Sequence, residues 1–113
     1  MTDLEYFILE RLEGIPIPVT KKRILDAVCS HFQVSEEAIK GKNRRKNTVL
    51  ARHFYMFFLK EKKIFKTLRE TGEQTNRDHA TALYAIDKLN HWIENYQDIK
   101  EIYNNINQKL YNN

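Results

Sequence analysis

Apolar residues recur every three or four positions along much of the chain, which is the spacing of one face of an α-helix. The clearest stripe lies in the last third of the sequence and consists of Ala82, Ile86, Leu89, Ile93 and Tyr96. We expect the helix that carries this stripe to run from about residue 77 to about residue 95. Asn76 would be its N-cap, and Asp78 would place a negative charge in its first turn.

A second stretch is apolar on nearly all sides, which is typical of a helix buried at the centre of a domain. Its apolar members are Val49, Leu50, Phe54, Tyr55, Met56, Phe57, Phe58 and Leu59. We expect Thr48 to be the N-cap of this helix and the helix to end near Ile64. Residues 66–72 are then predicted to form a short helix, and Gly72 should begin the turn that follows it.

Two helices are predicted before the central one. Thr20 is a good N-cap for a helix from Lys21 to Phe32, and Ser35 for a short helix that ends at Lys40. The inward side of the first helix would consist of Ile24, Leu25, Val28, Cys29 and Phe32.

The two ends of the chain carry weaker patterns. Residues 2–13 predict an N-terminal helix that ends at Gly14, followed by an extended connector, Ile15–Pro18, which its prolines keep non-helical. A last helix is expected from Gln97 to Leu110. We expect the Asn-rich end, residues 104–113, to fray.

Length and composition support a single all-α domain. The chain has 113 residues, 42% of them hydrophobic, with only 3 Gly and 2 Pro. We therefore expect a compact all-α domain of about six helices at residues 20–113, preceded by an N-terminal helix and Pro-containing connector at residues 1–19. One cysteine allows no internal disulfide and favours a reducing, cytoplasmic setting. The acidic start is unlike a signal peptide, and no apolar run approaches the length of a membrane span.

The charge of the chain is unevenly distributed. The net charge is +4, but residues 40–66 hold ten Lys or Arg and one acid, a local charge of +9. Residues 1–39 carry −3 and residues 67–113 carry −2. One basic region between acidic ends is the distribution expected for a protein that binds a polyanion.

Residues 41–48 form a basic loop that has no apolar side chain. Its cations are Lys42, Arg44, Arg45 and Lys46. A run of charge is usually a solvated surface loop. The functional alternative is a clamp on phosphates, with one Arg reaching into a minor groove.

The polar face of the helix predicted at 77–95 carries Arg77, His79, Thr81, Tyr84 and, one turn further on, Lys88. Lys and Glu would be usual on a surface that only meets water. A guanidinium fork, an imidazole, a hydroxyl with a methyl and a phenol instead suit contacts to base edges in a DNA groove. By itself, a polar residue at a helix start is more often a local cap partner, and that is the alternative for His79.

Residues 77–85, Arg-Asp-His-Ala-Thr-Ala-Leu-Tyr-Ala, resemble the signature G-R-D-H-[ST]-T-V-[LM]-[HY]-A of the C-terminal DNA-binding domain of the DnaA replication-initiator family. Residues 67–72, Thr-Leu-Arg-Glu-Thr-Gly, are similar to its S-L-P-E-I-G segment, and the resemblance covers roughly residues 20–110. It implies a Trp-repressor-like helix-turn-helix that places the N-terminal end of helix 77–95 in the major groove.

The resemblance also implies which side chains meet DNA. Base edges would be contacted by Asp78, His79, Ala80 and Thr81. The DNA backbone and minor groove would be contacted by Lys42, Arg44, Arg45, Lys46, Arg52, His53, Arg77 and Lys88. Arg44 stands at the position of the family's minor-groove arginine, and Arg77 would bond a phosphate or brace Asp78.

Several positions depart from the family's pattern. Ala80 replaces the usual Thr or Ser, so discrimination at one base pair should relax by about 1–3 kcal/mol. His53 replaces a Gln that reaches a phosphate. Thr71 and Thr75 (or Gln74, depending on the gap) replace apolar residues, so we expect a looser or reshaped turn.

Neither catalytic nor nucleotide chemistry is indicated. The three glycines form no phosphate-binding loop, and Cys29 and the four histidines have no zinc-site spacing. We expect a non-enzymatic protein without cofactor, metal or nucleotide, whose partner is double-stranded DNA at the nucleoid, in replication initiation or its regulation. A replication initiator or other replication protein would be a further partner.

Two other function classes stay open. The first is a protein-interaction module that keeps the fold but has lost DNA affinity, which the two threonines near the turn suggest. The second is an RNA or single-strand binder, although the sequence does not alternate aromatic and basic residues as such proteins do.

Overall fold

The structure is a computed structural model that describes residues 19–111 of the 113. The helix predicted at 2–13 and the connector Ile15–Pro18 lie outside these residues. The described part contains six helices and no strand, which confirms the all-α prediction. The helices are α1, Lys21–Phe32; α2, Glu36–Lys40; α3, Lys46–Glu61; α4, Leu68–Glu73; α5, His79–Asn95; and α6, Gln97–Tyr111.

Helix α3 is the centre of the domain, as its apolar pattern predicts. Its buried residues are Thr48, Ala51, Arg52, Phe54, Tyr55, Met56, Phe57, Phe58 and Leu59. Helices α1, α2, α4 and α5 all pack against it. A helix that is enclosed on nearly all sides cannot shift without disrupting the core, so α3 is a rigid base for the elements at its N-terminal end.

The caps of the first two helices are confirmed. The Thr20 hydroxyl accepts a hydrogen bond from the Arg23 N–H at 3.2 Å, and the Ser35 hydroxyl accepts one from Ala38 at 3.0 Å. Each bond satisfies a backbone donor that the helix itself leaves without a partner. Both helices therefore begin where the sequence predicts.

The start of α3 differs from the prediction. The helix begins at Lys46, two residues before the site expected from Thr48 as N-cap, and Thr48 is a buried helical residue. Arg45 holds the N-cap position without a side-chain bond, and its N–H donates to the Asn43 side chain at 2.8 Å. The basic loop is thus shorter than predicted, and its last cation already belongs to the helix.

The turn between α4 and α5 is tightly packed and not loose. Thr71 and Thr75 are fully buried, and their hydroxyls donate to the Thr67 and Gly72 carbonyls at 3.1 Å each. Because both hydroxyls find local carbonyls, the two polar side chains are buried without an unpaired donor. The prediction that Gly72 begins the turn is wrong, because Gly72 lies inside α4.

Gly72 is needed at this position for its lack of a side chain. A Cβ atom there would lie 2.6 Å from the Asp78 carbonyl oxygen and 2.7 Å from that of Arg77. The backbone that enters α5 therefore passes directly over α4. Such a close approach of two backbones permits only glycine.

The start of α5 also differs from the prediction. Asp78, not Asn76, is the N-cap, and Asn76 has a left-handed backbone with φ of 58°. Asn tolerates that conformation better than most residues, which explains its place in the turn. At the other end, Tyr96 is 52% exposed and follows the helix, so it is not part of the buried stripe.

Helix α6 is longer than expected. It continues to Tyr111, so the predicted fraying of residues 104–111 is wrong. Ile106 and Leu110 are fully buried, and the Tyr103 ring stacks on Phe58 with centroids 5.4 Å apart. Helix α6 therefore packs against α1 and α5, and Tyr103 joins it to the C-terminal part of α3.

Candidate nucleic-acid interface

The turn before α5 is hydrogen-bonded directly to the start of the basic loop. The Arg77 guanidinium donates to the Gly41 carbonyl at 2.7 Å and also to the Thr75 carbonyl. The Asn76 side-chain amide donates to the Lys40 carbonyl at 3.0 Å. Arg77 therefore joins two surface elements. Of the two roles that the resemblance implies, a bond to phosphate or a brace for Asp78, this is closer to the brace, but Arg77 holds the loop and not Asp78.

Arg52 is buried, with 5% of its surface exposed, although we expected it to reach a phosphate. Its guanidinium donates to four carbonyl oxygens: Ala38 at 3.0 Å, Ile39 at 2.7 Å, Gly41 at 3.2 Å and Asn43 at 3.0 Å. The side chain points into the protein because α2 and the loop present their free carbonyls to it. Arg52 thus fixes the shape of the basic loop from beneath.

The remaining loop cations have the exposure that a polyanion would require. Lys42, Arg44, Arg45 and Lys46 are all exposed. They surround a backbone that Arg52 and Arg77 hold in place. Exposed cations on a fixed backbone bind phosphates at a smaller entropic cost than cations on a mobile loop.

The N-terminal turn of α5 presents the other predicted site residues. Asp78, His79 and Ala80 are exposed and Thr81 is half-buried. One Asp78 carboxylate oxygen accepts from the Thr81 N–H at 2.9 Å, and this bond lowers the pKa of Asp78 below its ordinary value. The carboxylate is therefore ionised at neutral pH, and its second oxygen can accept from an amino group outside the protein.

His53 is a half-buried residue of α3 whose side chain faces α5. Its ring meets Tyr84 edge to face, with centroids 6.3 Å apart, and within residues 19–111 its Nδ1 atom has no hydrogen-bond partner. Burial, and then the positive charges of Arg52 and Arg77, lower the pKa of His53. The imidazole is therefore mostly neutral at pH 7, like the glutamine that it replaces and unlike the lysines and arginines of the basic loop.

A groove with a volume of about 520 Å³ extends from the basic loop towards the end of α5. Arg44 and Lys46 lie at its cationic side, with Trp92 and Leu50 in its apolar part. Lys88, one turn after Tyr84 in α5, has its Nζ 5.6 Å from the centre of the Tyr84 ring. Tyr84 is 56% exposed.

Arg69 is not among the site residues that the sequence predicts. This residue of α4 faces a second hollow, which has a volume of about 710 Å³. We call it the helix-turn-helix hollow; its lining consists of Arg69, Glu73, Asn76, Arg77, Asp78 and His79. The available signal was a departure from the family's S-L-P-E-I-G pattern, in which Arg69 stands at the proline.

Helices α4 and α5 are joined by a tight turn, and the N-terminal end of α5 is exposed beside the basic loop. These features define a helix-turn-helix DNA-binding domain. In the described part of the chain, no helix is both long and apolar enough to span a bilayer. No group of three or more His, Cys, Asp or Glu residues within 19–111 is arranged to hold a metal ion.

Comparison with known proteins gives the family. The family described as the bacterial dnaA protein helix-turn-helix matches residues 21–89, and the chain belongs to it. A chromosomal replication initiator protein DnaA from Thermomicrobium roseum is 32% identical over 94 residues, 82% of this chain and 20% of that protein. The DnaA protein of Treponema pallidum is 35% identical over 85 residues, which is 75% of this chain and 18% of that protein. The DnaA protein of Thermus thermophilus is 31% identical over 97 residues, which is 85% of this chain and 21% of that protein.

The chain thus spans about a fifth of the length of the curated relatives it matches. The matched part of the chain includes both the basic loop and the start of α5. Membership of this helix-turn-helix family supports DNA binding as the general role of the chain.

Proposed function

We propose that this domain binds double-stranded DNA at specific sequences, with the N-terminal end of α5 in the major groove and the basic loop on the adjacent backbone and minor groove. The observation that carries the proposal is the hydrogen bond from Arg77 to the Gly41 carbonyl at 2.7 Å. It fixes the base-reading turn and the cationic loop side by side. A rigid duplex requires such an arrangement, since it must touch both at once.

The residues at the start of α5 read base edges. Asp78 accepts a hydrogen bond from the amino group of cytosine or adenine through the carboxylate oxygen that Thr81 does not use. His79, the first residue of the helix, contacts a thymine or purine edge, and Thr81 adds its hydroxyl and methyl. Ala80 contributes only a methyl, which suits a thymine methyl but gives no hydrogen bond.

The loop supplies affinity rather than sequence discrimination. Arg44 enters the minor groove, and Lys42, Arg45 and Lys46 hold phosphates. Lys88 extends the phosphate contacts along α5. Arg52 has no direct contact in this account, because its guanidinium is committed to four carbonyls.

His53 contacts the backbone in a different way from the other residues of the interface. Because its ring is neutral near pH 7, it donates one N–H to a phosphate oxygen and adds no charge.

The domain acts at the nucleoid in the cytoplasm, in the initiation of replication or its regulation, and a replication initiator is its natural protein partner.

The experiment is a selection from a randomised duplex library, followed by titration of the selected duplex at several salt concentrations. With about four to six phosphates neutralised, log K should fall against log salt with a slope of roughly −4 to −5. The double variant Arg44→Glu/Arg45→Glu should lose measurable binding. Lys109→Glu, at the far end of α6 from the loop, is a control for reversal of a single charge and should retain binding.

Three results would contradict the proposal. A wild-type protein that selects no sequence and binds with a flat salt response has no DNA function of this kind. Capture of a replication protein that survives reversal of Arg44 and Arg45, without DNA retention, would favour the interaction module. Preference for single strands over duplex would favour the third class of function.

A further inference from the structure

Arg69 is the one cation of the helix-turn-helix hollow that is not committed to the protein backbone among the described contacts. It lies in α4, and its side chain is 82% exposed. Arg77 lines the same hollow, but its guanidinium donates to backbone carbonyls. The planar fork of Arg69 therefore remains available to a ligand that enters the hollow.

The one described partner of Arg69 is weakly held. Its Nε lies 3.4 Å from a carboxylate oxygen of Glu73, one helical turn away, and the Glu73 side chain is 58% exposed. An exposed pair of this kind contributes little to stability, because water screens the charges and both side chains lose freedom. The contact is enough to aim the guanidinium but not to keep it from another acceptor.

The charges of the hollow indicate what that acceptor is. Two carboxylates, Glu73 and Asp78, face the hollow together with Arg69 and His79. The charges of these carboxylates offset those of the Arg69 and Arg77 guanidiniums, so the hollow has little net attraction for a phosphate. The edge of a base pair carries both donors and acceptors, so it can pair with the guanidinium and with a carboxylate at the same time.

We propose that Arg69 is a specificity-determining residue that reads a guanine in the major groove, next to the base pairs read by the start of α5. This proposal rests on the proposed function, because it requires α5 to lie in the groove. The two N–H donors of the guanidinium fork match the O6 and N7 acceptors of guanine. Glu73 is a positioning residue, which holds the fork in the plane of the base.

The sequence of the chain makes this reading chemically consistent. At position 80 the alanine supplies no hydrogen bond, so one base pair is read less strictly. At position 69 an arginine adds two donors that a proline lacks. The expected binding site is therefore one that tolerates more than one base at the Ala80 contact and requires guanine at the Arg69 contact.

The experiment compares three proteins in the same selection from a randomised duplex library: wild type, Arg69→Ala and Arg69→Gln. The wild type should select a guanine at one position, and Arg69→Ala should accept any base there, with the preference reduced roughly 5- to 150-fold. Arg69→Gln should select adenine, because a glutamine amide pairs with adenine N6 and N7. Lys109→Ala, an exposed cation on α6, is the matched control and should select the wild-type site.

The results separate this inference from the function beneath it. Failure of the wild type to select any site contradicts the proposed function. If the wild type selects a site and both Arg69 variants select the same one, the inference is wrong. Uniform weakening on all sequences, with the salt slope smaller by about 1 and no change in base preference, would assign Arg69 to a phosphate and also overturn it. Because position 69 is exposed, we expect both variants to fold, and circular dichroism and urea unfolding check this.

Discussion

Arg52 and Arg77 share one acceptor, the carbonyl oxygen of Gly41, at 3.2 Å and 2.7 Å. One guanidinium reaches it from the buried side of α3 and the other from the turn before α5. Two like charges would normally keep apart, and here the backbone carbonyls around them offset the repulsion. The basic loop is therefore tied to the core and to the turn before α5 at the same atom.

Replacing Arg77 tests the brace. In Arg77→Ala the loop stays attached to Arg52 but loses the bond between Gly41 and the turn, and only the Asn76 bond to the Lys40 carbonyl remains there. Binding of the selected duplex should therefore weaken by about 10-fold, near the lower end for hydrogen bonds to a charged group. Fluorescence anisotropy at several salt concentrations measures it. Because Arg77 acts on the loop and not on phosphate, the salt slope should be unchanged; a slope smaller by about 1 would show a direct phosphate contact.

Replacing Arg52 tests its reassignment from the DNA surface to the interior. Arg52→Met removes the donor for four carbonyls, and the free energy of unfolding should fall by about 3 kcal/mol, as expected when buried polar groups lose a charged partner. Urea unfolding measures this loss. A variant with wild-type stability and weaker, less salt-dependent DNA binding would mean that Arg52 reaches phosphate after all.

The turn should not tolerate a side chain at Gly72. A Cβ atom in Gly72→Ala would approach the Asp78 carbonyl oxygen to 2.6 Å, so the backbone before α5 must move. We expect a loss of about 2 kcal/mol in unfolding free energy, a typical cost of overpacking, together with weaker DNA binding. Asn90→Ala, at an exposed position of α5, is the control and should change stability by less than about 0.5 kcal/mol. Equal stabilities for the two variants would contradict the packing described here.

The stability of the domain should depend on the protonation of His53. Burial and two nearby guanidiniums lower its pKa in the folded state from the ordinary value of 6.5. The unfolded chain therefore takes up a proton at higher pH than the folded one, and acidification below about 6.5 favours unfolding. His31, whose pKa burial and Lys109 also lower, acts in the same direction.

The contribution of His53 is isolated by His53→Gln. Its unfolding free energy should fall less steeply than that of the wild type as pH decreases from 7 to 5, while the His31 contribution remains in both proteins. Thermal unfolding across this range provides the comparison. Parallel pH profiles would show that His53 is not held neutral by its surroundings.

The helices were predictable because their signals are local. Thr20 and Ser35 are caps followed at once by apolar periodicity, and the enclosed pattern of α3 marks the central helix without reference to any other part of the chain. The two N-caps that were misplaced had competing candidates nearby. Thr48 is drawn into the core, and Asn76 is more useful in the left-handed turn, which leaves the cap to Asp78.

The role of Arg52 could not be predicted from its own segment. The carbonyls that it binds come from α2 and the loop, nine to fourteen residues earlier in the chain. An arginine at the start of a basic helix has the same sequence signal whether it faces solvent or the interior. The position of Arg69 also depends on other segments. Its exposure and its neighbours in the hollow become evident only when α4 and the turn are placed together.

The most direct test of the central claim is site-directed cleavage of the selected duplex. In a Cys29→Ser background, an iron–EDTA probe is attached to a single cysteine, either Ala80→Cys at the start of α5 or Lys42→Cys in the loop. We expect the first probe to cut within the selected site and the second to cut the flanking backbone on the same face, within about one helical turn, ~10 base pairs. Cuts on opposite faces of the duplex, or from one probe only, would contradict an interface that joins the two elements.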